Sequence, residues 1–272
     1  MSMLPIISII TPSYNQASYL EATISSVLEQ DYPHIEYLIL DGGSTDGSVN
    51  LIRKYGNRLA YWESAPDAGQ ADAINRGFAR TTGDILAWLN SDDTYEPGAL
   101  ARVASAFQQY PEADLIYGEG WYMDAVGMRL RPCSFVRPNF PWVYMVNKDP
   151  ILQQSAFWRR SLWERVGPLD TNLNWVFDWD WFLRAHGVGK FQYIPHFLAN
   201  YRVHPAAKTR SSAVQRRIEQ RRLTCRYGRW WHPNALVQQT RIWSAQAPIF
   251  FRPIAKLLQR SAEAIFYARY TS

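Results

Sequence analysis

The sequence predicts an α/β fold with a mainly parallel central sheet flanked by helices, followed by a C-terminal helical extension. Three observations predict it. Short β-rich runs alternate with helical patterns through the first third of the chain, as in βαβ units. Acidic residues fall at the carboxyl ends of those runs, where such sheets bind ligands. Beyond residue 210, arginines recur at one to four residues, which gives a helix there a basic face.

In chain order, Ile6 to Thr11 is a buried-strand pattern, Ala17 to Gln30 a helix, and Glu36 to Leu40 a strand ending at Asp41. A helix starts near Asp46 or Ser48 and stops by Gly56; Leu59 to Glu63 is extended and Gln70 to Arg80 helical. Asp84 to Leu89 is the next strand, Pro97 to Tyr110 the next helix, and Ala113 to Tyr117 closes the series. From Glu119 the rhythm fades into a stretch rich in Trp, Tyr, Pro and Asn, which reads as a second half covering the mouth of the sheet. Its aromatic faces suit sugar rings, although burial is the commoner fate of any one Trp.

With 272 residues, 47% hydrophobic and 19% charged, the chain is neither disordered nor fibrous. Its net charge of +5 hides an asymmetry: the part up to Ala207 carries −6 and the part from Lys208 carries +11. Positive charge confined to one end points to attachment to something anionic, such as a phospholipid surface. Two cysteines, Cys133 and Cys225, build no disulfide framework, and a reducing compartment is expected. The start of the chain has no signal-peptide pattern, and nowhere do the apolar runs reach spanning length. A cytoplasmic protein, soluble or peripheral on the inner face of the plasma membrane, is the expectation.

Four groups of residues carry candidate chemistry. Asp41-Gly42-Gly43-Ser44-Thr45-Asp46-Gly47 sets a carboxylate at a strand end, then glycines; Asp41 suits a ribose hydroxyl or base N–H. Neither dinucleotide nor P-loop fingerprints occur. Asn90-Ser91-Asp92-Asp93 offers hard oxygen ligands for Mg²⁺ or Mn²⁺ against a diphosphate, or a loop that merely starts a helix. Asp178, among aromatics in Phe177-Asp178-Trp179-Asp180, suits a general base, while Asp180 is spaced to pair with Arg184. In Tyr201-Arg202-Val203-His204, His204 is a structural histidine or a nitrogen ligand, and Arg202 a phosphate or scaffold contact.

Taken together, these stations resemble the family 2 glycosyltransferases, inverting enzymes of the GT-A fold, over about residues 5–210. Thr11-Pro12-Ser13-Tyr14-Asn15 looks like the first-strand motif of the nucleotide pocket, and Asp41 with Gly42 to Gly47 like the acidic loop that holds the nucleoside. Asp67 to Gly77, with Gly69, Asp72 and Asn75, resembles the helix whose front end helps bind the nucleotide diphosphate. Asn90 to Asp93 resembles the metal station, Gln153-Gln154-Ser155 the segment before the acceptor site, and Phe177-Asp178 the station of the general base. Asn90 and Phe177 depart from the family pattern, each standing where an acid is usual.

The resemblance implies transfer of a sugar from a nucleotide diphosphate, UDP first, to a hydroxyl of a glycan or polyprenyl-linked acceptor in cell-envelope polysaccharide synthesis. Asp178 would be the base, Asp92 and His204 the metal ligands, Asp93 a sugar or metal-water contact, and Mn²⁺ or Mg²⁺ the cofactor. Residues 1–210 would form the catalytic domain, with a nucleotide-binding half (1–118) and an acceptor half (119–210); residues 211–272 would form a basic extension for a membrane surface, the body or a homodimer. Nucleic acid is an unlikely partner, since no reading module is present. A non-catalytic carbohydrate-binding or scaffold protein is the alternative if Asn90 and Phe177 mark lost chemistry.

Overall fold

In the computed structural model, residues 4–208, 213–228, 233–246 and 252–270 are described. Strands β1 (Ile7–Ser13), β2 (Ile35–Asp41), β3 (Tyr61–Ser64) and β4 (Ile85–Trp88) alternate with helices α1 (Ala17–Leu28), α2 (Ser48–Tyr55) and α3 (Gln70–Phe78). After β4 come β5 (Thr94–Tyr95), α4 (Ala99–Gln109), β6 (Leu115–Met123), β7 (Arg129–Pro132), α5 (Trp142–Asn147), β8 (Ala156–Arg159), α6 (Arg160–Val166), α7 (Phe177–His186) and β9 (Phe191–Arg202). Helices α8 (Ala213–Gly228), α9 (Pro233–Gln246) and α10 (Arg252–Tyr270) follow.

The sheet runs β3-β2-β1-β4-β8-β6-β9-β5, with β7 beside β6. Its first four strands are mutually parallel, but β8 lies antiparallel to both β4 and β6, as β7 does to β6 and β5 to β9. The sheet is therefore mixed, which corrects the expectation of a mainly parallel one. The physical reason is the connection: helices cross over between β1, β2, β3 and β4, whereas β6 returns directly into β7 through a tight turn. There Asp124 Oδ1 accepts from the backbone N–H of Val126 and Met128, and Gly127 takes a φ of 92°.

Two apolar cores cover the two faces. Ile7 and Ile9 of β1 pack with α1 and α4 on one side, while Ile10 packs with α3 on the other. Because alternate side chains serve both cores, every residue of β1 is buried. Helix α3 lies so close to the sheet that a Cβ at Gly77 would sit 2.8 Å from Ile10 Cγ2. Part of the tryptophan content is core: Trp88, Trp158 and Trp181 are fully buried, with ring centroids 5.3 Å and 4.7 Å apart in that order.

Helix α8 is fastened to the body. Buried Glu219 accepts from the backbone N–H of Asn174 (3.0 Å) and Trp175 (2.9 Å), and Arg226 reaches Asp180 at 3.3 Å and Asp170 at 3.6 Å. Asp180 also pairs with Arg184 at 2.9 Å, as its i,i+4 spacing predicts. Arg229 and the Trp230-Trp231 pair, read in the sequence as the end of the basic face, lie outside the described residues. Among the described residues, no helix is long and apolar enough to cross a membrane.

Candidate active site

A cleft of about 1950 Å³ opens at the carboxyl ends of β1, β2 and β4 and is lined further by residues between 129 and 149, the start of α7 and parts of α8 and α9. Of the residues singled out in the sequence, Pro12, Tyr14, Gly69, Asp92 and Asp178 line it. Asn15, Asp41, Asp72, Asn75, Asp93 and His204 are not among the lining residues. These six make contacts within the protein that account for their positions.

Asp41 ends β2 and is buried, with its carboxylate accepting from Ser44 N–H (2.9 Å), Ser44 Oγ (2.5 Å) and Ser64 Oγ (2.7 Å). It shapes the glycine loop from within. Asn15, at a φ of 52°, clamps the same loop: its N–H donates to Ser44 Oγ, and its Oδ1 accepts from Thr45 N–H. Asp72 pairs with Arg76 at 3.7 Å. Asn75 bonds both ways with the backbone of Leu169, at 3.0 Å and 2.9 Å, tying α3 to the loop before α7. Tyr14, by contrast, is 62% exposed at the cleft mouth.

The Asn90–Asp93 segment explains its own departure from the acidic pattern. Asn90 accepts from Gln70 Nε2 at 2.8 Å and donates through Nδ2 to Asp93 Oδ2 at 3.0 Å. Asp93 also accepts from Gln154 Nε2 at 2.5 Å and from the Arg202 backbone N–H at 2.8 Å. An acid at position 90 would face the Asp93 carboxylate instead of donating to it. Burial first, then the Asp92 charge, already push Asp93 well above the usual carboxylate range. Arg202 proves to be scaffold: its guanidinium donates to the carbonyls of Asp92, Asp124 and Ala125.

Asp92 and His204, 112 residues apart in sequence, meet at 3.1 Å between Oδ2 and Nε2. The His204 ring is buried against Tyr19, and its Nδ1 has no hydrogen-bond partner among the described residues. Among the described residues, no group of three or more His, Cys, Asp or Glu side chains converges as a metal site. Asp92 Oδ2 and His204 Nε2 are nevertheless an oxygen and a nitrogen donor within reach of one ion, and of the two residues Asp92 lines the cleft.

Asp178 starts α7 and faces the cleft, its Oδ1 accepting from the Trp179 N–H at 2.8 Å. Burial raises its carboxyl to about 6, with backbone donors and the Lys208 charge acting in the other direction. Asp149 lines the same cleft, and burial together with the Asp178 charge drives it well above the ordinary range. Two acids that hinder one another's ionisation are a setting for proton transfer. Lys208 stands 5.6 Å over the Phe177 ring, also in the cleft, and donates to Gln70 at 3.1 Å.

Asp149, Lys208, Gln70 and Gln154 are functional candidates that sequence reasoning did not select as site residues. Gln154 had a family signal in the Gln-Gln-Ser run. Asp149 had none, since a single acid after a lysine in a Pro- and Asn-rich stretch resembles any exposed loop residue.

The family model for glycosyl transferase family 2 matches residues 8–148. An uncharacterized glycosyltransferase of Mycobacterium tuberculosis is 33% identical over 190 residues, 68% of this chain and 70% of its own. The PGL/p-HBAD biosynthesis glycosyltransferase of the same species is 34% identical over 192 residues, 66% of this chain and 70% of its own. This chain belongs to glycosyltransferase family 2. It is a nucleotide-sugar transferase acting on an acceptor, with an α/β fold of the GT-A type.

Solved structures agree on the fold. S. aureus TarS residues 1–349 in complex with UDP-GlcNAc superimposes with a TM-score of 0.68 at 16% identity, covering 94% of this chain and 79% of that one. The mannosyltransferase PcManGT from Pyrobaculum calidifontis in complex with GDP-Man and Mn²⁺ gives 0.63 at 18% identity, covering 100% and 77%. Asp178 and His204 lie beyond the segment matched by the family model.

Proposed function

We propose that this protein transfers a sugar from a nucleotide diphosphate, UDP before dTDP or GDP, to an acceptor hydroxyl by a single displacement with inversion, with Asp178 as the base. The observation that carries the reading is that Asp92, after strand β4, and Asp178, in the first turn of α7, line one and the same cleft. A diphosphate leaving group near the first and an acceptor hydroxyl near the second would flank the anomeric carbon. Burial-raised basicity suits Asp178 for taking the hydroxyl proton near neutral pH.

Pro12, Tyr14 and Gly69 would contact the nucleotide directly, and Asn15, Asp41, Asp72 and Asn75 would hold their loops. Asp93 would set the position of Asp92 through the Asn90, Gln154 and Arg202 contacts, in place of touching the sugar. Asp92 and His204 would hold Mg²⁺ or Mn²⁺, which when bound supplies charge to neutralise the departing diphosphate. Residues 1–210 would act as the catalytic domain.

A lipid-linked acceptor in cell-envelope polysaccharide synthesis, met at the inner face of the plasma membrane, fits the basic C-terminal region. Exposed Arg221 and Arg222 on α8, and exposed Ile254, Lys256, Leu257, Leu258 and Arg260 on α10, support a peripheral contact with anionic lipid. The anchoring of α8 by Glu219 and Arg226 supports body packing for the rest of that helix.

The deciding experiment measures binding and hydrolysis of UDP-, dTDP- and GDP-sugars with and without Mn²⁺ or Mg²⁺, with Asp92→Ala as control. A metal-dependent response to one donor, lost in the variant, supports the reading. No response to any nucleotide sugar would sink it.

A further inference from the structure

The part of the cleft lining that lies between residues 129 and 149 carries positive charge that nothing in the donor reading uses. Arg131, on β7, lies 4.4 Å over the ring of Tyr122, which lines the cleft beside it. Arg137 donates through Nε to Tyr144 Oη at 3.5 Å, which leaves the two terminal nitrogens of its fork for another partner. Lys148 follows α5 and is exposed, facing the same cleft. Among the described residues none of the three forms an ion pair with a carboxylate, although Asp149 lines the cleft next to Lys148.

This differs from the arginines elsewhere in the fold. Arg76, Arg129, Arg165 and Arg184 each pair with an acid, and Arg159, Arg160 and Arg202 are occupied by backbone carbonyls. Cations that reach into a concave site without an acid, two of them held by aromatic partners, are arranged for an oxyanion. In the donor reading the nucleotide diphosphate goes to the strand ends, where Asp92 lies.

We propose that residues 129–149 form an acceptor subsite for an oxyanion, phosphate or carboxylate, gripped by Arg131, Arg137 and Lys148 while the acceptor hydroxyl reaches Asp178. The assignment rests on the transferase reading above and names its acceptor class. Two sources share this chemistry: the phosphate of a lipid carrier and an anionic unit of the glycan itself.

The test uses the full chain with its donor subsite filled by whichever of UDP, dTDP or GDP it binds. It is titrated with inorganic phosphate, a short-chain isoprenyl phosphate, a glucuronic acid oligosaccharide and a neutral glucose oligosaccharide. At least one anionic probe binds better than the neutral one, and R131Q/R137Q/K148Q weakens it ~10- to 100-fold, as loss of three exposed charge contacts of up to about 1 kcal/mol each implies. Nucleotide affinity stays within about twofold in the same variant. Preference for isoprenyl phosphate assigns the anion to the carrier; preference for the uronic acid assigns it to the glycan.

Equal binding of neutral and anionic probes, or unchanged anion affinity in the triple variant, overturns the proposal. So does a parallel loss of nucleotide affinity, which would assign these cations to the donor diphosphate. If the protein binds no nucleotide, the transferase reading fails by itself, and the anion titration still reads this wall. Should the triple variant not fold, K148Q, whose ammonium makes no hydrogen bond or ion pair among the described residues, carries the test with an expected ~3-fold weakening.

Discussion

At the ends of β1, β2 and β4, Asn15, Asp41, Asn90 and Asp93 are bonded chiefly to one another's loops; between residues 129 and 149, Arg131, Arg137 and Lys148 line the cleft with few polar ties to the protein. The first wall is pre-organised: its polar groups fix the backbone, so that a few groups such as Asp92 and Tyr14 are presented in set positions. The second offers charge and aromatic surface with fewer internal ties. A conserved reagent calls for the former construction, since its binding geometry must be held during reaction, whereas an acceptor is met by side chains that can adapt. On the function proposed above, the first wall would serve the donor and the second the acceptor.

The largest effect that sharpens this contrast is expected at Asp178. Asp178→Asn keeps the shape and the Trp179 N–H acceptor, so donor affinity is unchanged while turnover falls ~10²- to 10⁴-fold, the range of general-base catalysis. Preserved turnover in a transfer assay would remove Asp178 as base. The wild-type rate should also rise with pH through about 6, since only the ionised carboxylate accepts the proton.

Next in size, Asn90→Asp tests the internal bonding of the first wall. The change loses the donor to Asp93 and sets a second carboxyl against the buried one of Asp93, so denaturant unfolding should show a loss of about 1–3 kcal/mol. An equally stable variant would mean the network tolerates a second acid. A smaller loss, about 1–2 kcal/mol, is expected for Asn75→Ala, which gives up both bonds to Leu169. Nucleotide affinity there should hold; a clear drop would return Asn75 to the ligand.

The subtlest prediction concerns stability against pH. Asp178 ionises near its ordinary 3.8 in the unfolded chain but near 6 in the fold, so the fold binds a proton that the unfolded chain has released between those values. Wild-type stability from this group therefore declines as pH rises from about 3.8 and levels off above about 6. Asp178→Asn should melt higher than wild type at pH 8, with the difference vanishing toward pH 4. Equal melting temperatures at both values would mean the carboxylate is ionised in the fold at no cost.

How much was legible beforehand differs along the chain for physical reasons. Apart from β5, the helices and strands from β1 to α4 were read close to their bounds because most of them bury a periodic apolar face, and periodicity is a local signal. Strands β5, β7 and β8 were not identified. β5 spans only Thr94–Tyr95, β7 is exposed throughout, and β8 is a buried run hidden in an aromatic stretch, so none shows alternation. The mixed sheet followed from those omissions. Pro12, Tyr14, Gly69, Asp92 and Asp178 reach the cleft as their motifs imply, but motif position alone did not separate them from Asp41, Asn75 and Asp93, whose side chains bond inward.

By itself the sequence determined the βα rhythm, the carboxylates at strand ends, the charge imbalance between body and C-terminal region, and the family stations, because all of these depend on residue type and near spacing. Only the tertiary structure decided that β8 runs antiparallel between β4 and β6, that His204 meets Asp92 across 112 residues, and that Asp149 shares a cleft with Asp178. It also decided which cations go unpaired. Contacts of that kind depend on chain closure over long separations, and the side chain that fills or leaves a site is selected by neighbours that no local pattern names.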